Sequence, residues 1–294
     1  MKQVSFVILH FMDLDTTVAC IASIINNISY ENYKIIVVDN GSTNDSEKRI
    51  EEKYDSEPKV ILLCANENLG FAKGNNLGYS YAKKMLNADY IIITNNDTIF
   101  KQHNYIDIMI SEFEKNNCYL IGPDLITPDG YHQNPHRDHI LTQNEVRKML
   151  LIKAIFLHYF MLKKTLHLDK KINALEYLYD KKDEKTHENI NYKQRKENVV
   201  LQGACLIFTP IYISRETEAF SPKTFMYGEE DLLAYKCQRN GYKIVYSPEL
   251  KTFHMQGVAT GKAYEKKLEK NIFMYKYIVE GCQILLKEMK NDRN

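Results

Sequence analysis

Short apolar runs recur through the first hundred residues, and each is followed by a helical pattern. The runs are residues 4–9, 35–38, 60–63 and 90–93. Continuous apolar runs of this length fit strands buried on both faces. Between them, residues 16–28 put Ile21, Ile24, Ile25 and Ile28 on one side of a helix. Residues 45–54 read as a charged, exposed helix. Residues 73–86 carry Leu77, Tyr81 and Met85 at i+4 spacing. A further helix over 104–117 and a short strand over 119–121 continue the series. This β-α-β-α order predicts a mostly parallel sheet covered by helices.

The rhythm then breaks. Residues 127–138 read as a loop, with Pro128, Asp129-Gly130 and Pro135. From 144 to about 185 the pattern is helical and basic without a strand, which marks an insertion over about 141–195. A strand returns over 199–208. A helix over 229–240 ends at Gly241, a residue suited to a C-cap. A strand over 243–246 is closed by Pro248, and a long charged helix spans 264–290. The expected organisation is one α/β domain over 1–262, carrying the insertion, and a helical extension over 263–294.

Charge narrows the partners. The chain has 39 basic and 38 acidic residues, so no global field favours nucleic acid. Its six cysteines are scattered without a C-x-x-C pair, which suits buried free thiols in a reducing compartment. The start shows no secretory-signal pattern. The longest apolar stretch, 149–162, is interrupted by Lys153 and His158 and is shorter than the roughly 20 residues a bilayer span needs. A cytoplasmic protein is expected, with peripheral contact at the inner face of the cell membrane as an option. That option comes from residues 147–171, which combine many apolar side chains with Arg147, Lys148, Lys153, Lys163, Lys164, Lys170 and Lys171. A packed helical hairpin or a homodimer contact is the other reading.

The candidate chemistry sits where apolar runs end. Asn95-Asn96-Asp97 follows the fourth run, and strand ends are where open α/β sheets bind ligands. A carboxylate there can hold a divalent metal against a diphosphate, although the same residues also make plain turns. Asp39-Asn40-Gly41-Ser42 follows the second run, where a carboxylate can accept from a nucleobase N–H or simply begin a turn. Asn68, Gly70, Lys73 and Gly74 follow the third. The glycines allow close backbone approach, and the helix start favours anions. Glu229-Glu230-Asp231 opens a helix, where acids either complement the dipole or supply a general base. His254 follows the last strand and could complete a metal site; imidazole beside carboxylate suits Mn2+ or Mg2+ and tilts toward Mn2+. His132, His136 and His139 match no structural zinc spacing.

Taken in order, these segments resemble inverting glycosyltransferases of family 2, which have the GT-A fold. The similarity runs from Val4 to about Thr260. It rests on the opening strand, Val37-Val38-Asp39-Asn40-Gly41-Ser42-Thr43, the run from Asn66 to Asn76, Asn95-Asn96-Asp97, Gly203-Ala204-Cys205, the run from Phe225 to Leu232, the run from Gly241 to Pro248, and His254. The subset it most resembles builds bacterial capsule, O-antigen and other surface polysaccharides and is rhamnosyltransferase-like. This chain departs from the family pattern in having Asn95 for the first acid of Asp-x-Asp, an unbroken acid triplet, and His10-Phe11 after the first strand.

The resemblance implies a Rossmann-like nucleotide-binding half, a mixed central sheet, and transfer from a UDP- or dTDP-linked sugar to a lipid-linked saccharide. It implies that Asp39 meets the nucleobase and that Asn68, Gly70, Gly74 and Asn96 line the nucleotide and sugar pocket. Asp97, His254 and Asn95 would hold Mn2+ or Mg2+. Glu230 would be the leading base, with Asp231 and Glu229 beside it. Two rival classes are a sugar-phosphate nucleotidyltransferase, against which the absence of a glycine-rich basic signature over 7–16 counts, and a non-catalytic nucleotide-sugar-binding module.

Overall fold

The computed structural model describes residues 1–166, 191–255 and 267–291. The later part of the expected insertion, with Lys170 and Lys171, and the first residues of the expected terminal helix lie outside the described residues. In chain order the elements are β1 (Val4–His10), α1 (Leu14–Asn27), β2 (Tyr33–Asp39), α2 (Ser46–Tyr54), β3 (Val60–Cys64), α3 (Gly70–Lys84), β4 (Tyr90–Asn95), β5 (Thr98–Phe100) and α4 (Tyr105–Asn116). They continue with β6 (Leu120–Ile126), α5 (Gln143–Thr165), β7 (Lys196–Glu197), β8 (Cys205–Phe208), α6 (Pro210–Arg215), α7 (Glu229–Asn240), β9 (Ile244–His254) and α8 (Lys267–Asn291).

The strands form one mixed sheet in the order β3-β2-β1-β4-β8-β6-β9-β5, with β7 on β9. β3, β2, β1 and β4 run parallel. β8 is antiparallel to β4 and to β6, and β9 runs parallel to β6. Alternate residues of each strand feed separate cores. Phe6, Ile8, Ile35, Val37 and Ile92 face α1 and α4. Val7, Ile36, Val38 and Ile93 face α3, α6 and α7. Both faces of the central strands are therefore buried, which is why those segments read as unbroken apolar runs. Val146, Leu232, Cys282 and Leu285 make a third cluster where α5, α7 and α8 meet.

Three expectations shift. β9 does not end at Pro248: it runs on to His254, with a bulge between the Ser247 and Lys251 pairings, so the proline sits where no ladder donor is needed. Helix α3 starts at Gly70, three residues early, because Asn68 Oδ1 accepts the Gly70 N–H (2.9 Å). The expected strand over 199–208 is a continuous strand only from Cys205, with Val200 making an isolated antiparallel bridge to Arg137. The cysteines are free, and all but Cys64 are buried. None of the described helices is long and apolar enough to cross a membrane.

Candidate active site

The parallel half of the sheet delivers β1, β2 and β4 to one edge, ending at His10, Asp39 and Asn95. Asp39 is fully buried. Its Oδ2 accepts the Ser42 N–H (3.0 Å), while Oδ1 has no hydrogen-bond partner and lies 3.6 Å from His10 Nε2. Burial lowers the His10 pKa, against the opposing pull of Asp39 and Asp13. Its ring is held by Thr17 Oγ1 (2.7 Å) and Ser46 Oγ (2.8 Å).

The residues after β3 are spent on their own chain. Asn40 Nδ2 donates to Asn68 Oδ1 (3.1 Å) and to the Gly70 carbonyl (3.2 Å), and Asn40 Oδ1 accepts the Leu69 N–H (3.0 Å). Gly70 has φ +78°, and a Cβ there would lie 2.2 Å from the Phe225 carbonyl oxygen. At Gly74 a Cβ would lie 2.6 Å from Leu9 Cδ1. Both glycines thus permit close approach of protein to protein. Asn96 is buried too: its amide donates to Thr16 and Thr17 Oγ1 (3.2 and 3.0 Å), tying the turn after β4 to α1.

Asp97 and His254 come together. Residues 98 and 254 are cross-strand partners, and the Asp97 carbonyl accepts the Met255 N–H (2.9 Å). Asp97 Oδ1 lies 3.2 Å from His254 Nε2, within ion-pair range but without a hydrogen bond. His254 Nδ1 lies 2.6 Å from Gln133 Oε1. That oxygen only accepts, so Nδ1 carries the proton and, in the neutral ring, Nε2 presents a lone pair. A buried carboxylate oxygen and an imidazole lone pair then face each other. Such a pair can be completed by a proton on Nε2 or by a cation. Among the described residues no group of three or more His, Cys, Asp or Glu converges on a metal position. Asp97 and His254 would therefore hold a metal that keeps most of its shell for other oxygens, as Mg2+ and Mn2+ do on phosphates.

The acid triplet opens α7 directly after Gly228, whose φ is +90°. The three acids part ways. Glu229 is buried with Oε1 unpartnered, and burial, reinforced by the Glu230 charge, raises its pKa to about 7. Asp231 is ion-paired to Arg137. Glu230 Oε1 accepts the Gly203 N–H (3.2 Å). Burial pushes the Glu230 pKa up and the Asp231 charge adds to it, while the Gly203 N–H and Arg137 oppose the rise. A Cβ at Gly203 would lie 2.8 Å from that carboxylate oxygen, so a side chain there would push the Glu230 head group aside. The next residue, Ala204, accepts the Asn95 N–H through its carbonyl (2.8 Å), which links Glu230 to the end of β4. Helix α8 buttresses the triplet from behind: Gly281 packs on Tyr227 and Gly228, and Tyr277 stacks on Phe225 with centroids 4.9 Å apart.

Sequence reasoning missed Gln133 and Arg137. Gln133 is 121 residues from His254 in the chain, and no local pattern announces the contact. Of the loop histidines, His132 pairs with Asp124 (2.7 Å) and stacks on Tyr192, and His139 contacts Asp138 and Glu145.

Residues 5–171, more than half of the chain, match the model for "Glycosyl transferase family 2". The chain belongs to that family. An "Uncharacterized glycosyltransferase" of Rickettsia bellii (strain RML369-C) is 30% identical over 115 residues, which are 39% of this chain and 16% of that protein. Among solved structures, GalNAc-T7 with UDP, GalNAc and Mn2+ superposes with a TM-score of 0.59 at 13% identity, covering 87% of this chain and 44% of that one. The fold is accordingly GT-A. The N-terminal part of S. aureus TarS with UDP-GlcNAc is also similar, at a TM-score of 0.38 and 14% identity over 44% of this chain and 36% of that one. The chain thus spans less than half the length of each of these proteins.

Proposed function

We propose that the protein is a metal-dependent inverting glycosyltransferase acting on a nucleoside-diphosphate sugar, UDP- or dTDP-linked. The acceptor we assign is a lipid-linked saccharide in bacterial surface-polysaccharide assembly, and the transferred unit a hexose or rhamnose. The observation that carries the reading is the buried Asp97–His254 pair, with an orphan carboxylate oxygen facing an imidazole lone pair. Glu230 is joined to the end of β4 through Gly203 and Ala204, and Asp97 follows that strand.

In this reading Asp39 Oδ1, buried and without a partner, accepts from the nucleobase. Asn68, Gly70, Gly74 and Asn96 act indirectly, by fixing the loops that frame the pocket. Asp97 and His254 would hold Mn2+ or Mg2+, with Asn95 as a neutral oxygen beside them; when bound, the cation supplies charge neutralisation to a departing diphosphate. Glu230 is the base. It takes the proton from the acceptor hydroxyl as that oxygen bonds to the anomeric carbon. The carbon–oxygen bond to the diphosphate breaks on the opposite face, so the anomeric configuration inverts. Asp231 is the weaker candidate because Arg137 already engages it, and Glu229 because it is buried beneath the helix start. Residues 1–262 would form the transferase domain, with α8 as its buttress.

The test is a thermal-shift screen of nucleotide sugars with Mn2+, Mg2+ or EDTA. Stabilisation by a uridine or thymidine diphosphate sugar that EDTA abolishes is the expected result. No nucleotide-dependent shift under any metal would sink the proposal.

A further inference from the structure

Helix α5 is apolar on two opposite sides. One side is buried: Phe160 packs on Tyr275 of α8 with ring centroids 5.3 Å apart, and Val146 is wholly enclosed. The other side is open. Leu151, Ile155, His158 and Leu162 follow the 4-3-4 spacing of a single helical face. Leu151 is 64% exposed, Ile155 60%, Leu162 60%, and Leu166 just beyond the helix 61%. Leu151, Ala154, Ile155, His158, Tyr159 and Leu162 line a shallow groove of about 420 Å³. The stripe is about 22 Å long at helical rise. Among the described residues, this second apolar face of α5 is left exposed.

Charge indicates which partner. Exposed Arg147 and Lys148 stand one turn before Leu151. The single acid of α5, Glu145, is already engaged, accepting from the Thr142 N–H (2.8 Å) and hydroxyl (2.7 Å). A second copy of the chain would bring this helix the same basic end and no unengaged α5 acid to receive it. An anionic lipid surface offers both an apolar layer for the leucines and isoleucine and phosphates for the basic end.

We propose that the open face of α5 docks on the headgroup layer of an anionic bilayer. The inference deepens the acceptor half of the proposed function and rests on it for its purpose, because it names where a lipid-linked acceptor would be met. The contact itself rests on α5 alone.

The experiment sediments the full chain with phosphatidylcholine vesicles, with and without phosphatidylglycerol. Wild type is expected to pellet with the anionic vesicles. Ile155→Ser combined with Leu162→Ser should lower partitioning about tenfold or more. Arg147→Gln with Lys148→Gln should lower it several-fold on anionic vesicles, as added salt does. Unchanged melting temperatures and an unchanged donor-induced thermal shift would show that both variants remain folded with an intact site. Wild type left in the supernatant with both vesicle types, or a serine variant that pellets like wild type, would overturn the proposal. A concentration-dependent dimer that the serine substitutions dissolve would assign the face to a second copy and overturn it as well. Vesicle binding without any donor-induced shift would support the docking while removing the sugar-transfer reading, so the two failures are distinguishable.

Discussion

Replacing Glu229 with Gln should stabilise the protein at neutral and alkaline pH but hardly at all in acid. The carboxyl is buried, one oxygen lacks a hydrogen-bond partner, and its pKa rises from 4.5 to about 7. The folded state therefore holds a proton that the unfolded state releases first. Stability from this group is complete below about pH 4.5, declines as pH climbs, and is lost once pH passes about 7. A tenfold change in proton affinity is worth about 1.4 kcal/mol, so between about pH 5 and pH 8 the loss is roughly 2–3 kcal/mol. Glutamine is isosteric and never ionises, so the variant should escape it. Urea unfolding of wild type and variant across that range isolates the difference, because every other titrating group cancels to first order. The gap should open in favour of the variant as pH rises. A gap that does not change with pH would mean that Glu229 is not held neutral, and the desolvation argument for the triplet would fail with it.

Gly70→Ala should destabilise the fold by about 2 kcal/mol or more, since it forces a side chain into positive φ and onto the Phe225 carbonyl; wild-type stability in urea would contradict that packing. Gln133→Ala frees the His254 ring, and calorimetric Mn2+ affinity should fall roughly 10–100-fold, with Gln133→Glu retaining the acceptor and much of the affinity. Unchanged affinity in the alanine variant would remove Gln133 from the metal site. Arg137→Gln removes a charge that holds the Glu230 pKa down. The acid limb of the kcat profile should then move to higher pH, because the base must lose its proton to work. An unmoved limb would mean that some other group titrates.

The strand ends were legible because burial on both faces writes itself as unbroken apolar runs. That put Asp39, Asn95 and Asp97 on one edge in advance. His254 was harder. Its strand crosses Pro248, and only the bulge at Ser247 explains how the ladder survives. The glycine-containing loop was visible, but the purpose of its glycines was not. Close approach to a ligand and close approach to Phe225 or Leu9 leave the same trace in a sequence. The short strand β5 and the helix α6 escaped notice, being too brief to show a period. Helix α5 showed no clean amphipathic pattern because it is apolar on opposite faces, one against α8 and one outward. The acid triplet's division of labour depends on Arg137 and Gly203, both remote in the chain, so no local reading could have assigned it.

The central claim is that Glu230 removes the acceptor's proton beside a metal held by Asp97 and His254. Turnover by Glu230→Gln, with an accepted donor and acceptor in Mn2+, tests it most directly. The account expects kcat to fall roughly 10²–10⁴-fold, with the donor-induced thermal shift unchanged and the residual product still inverted at the anomeric carbon. A variant that turns over at the wild-type rate would contradict it.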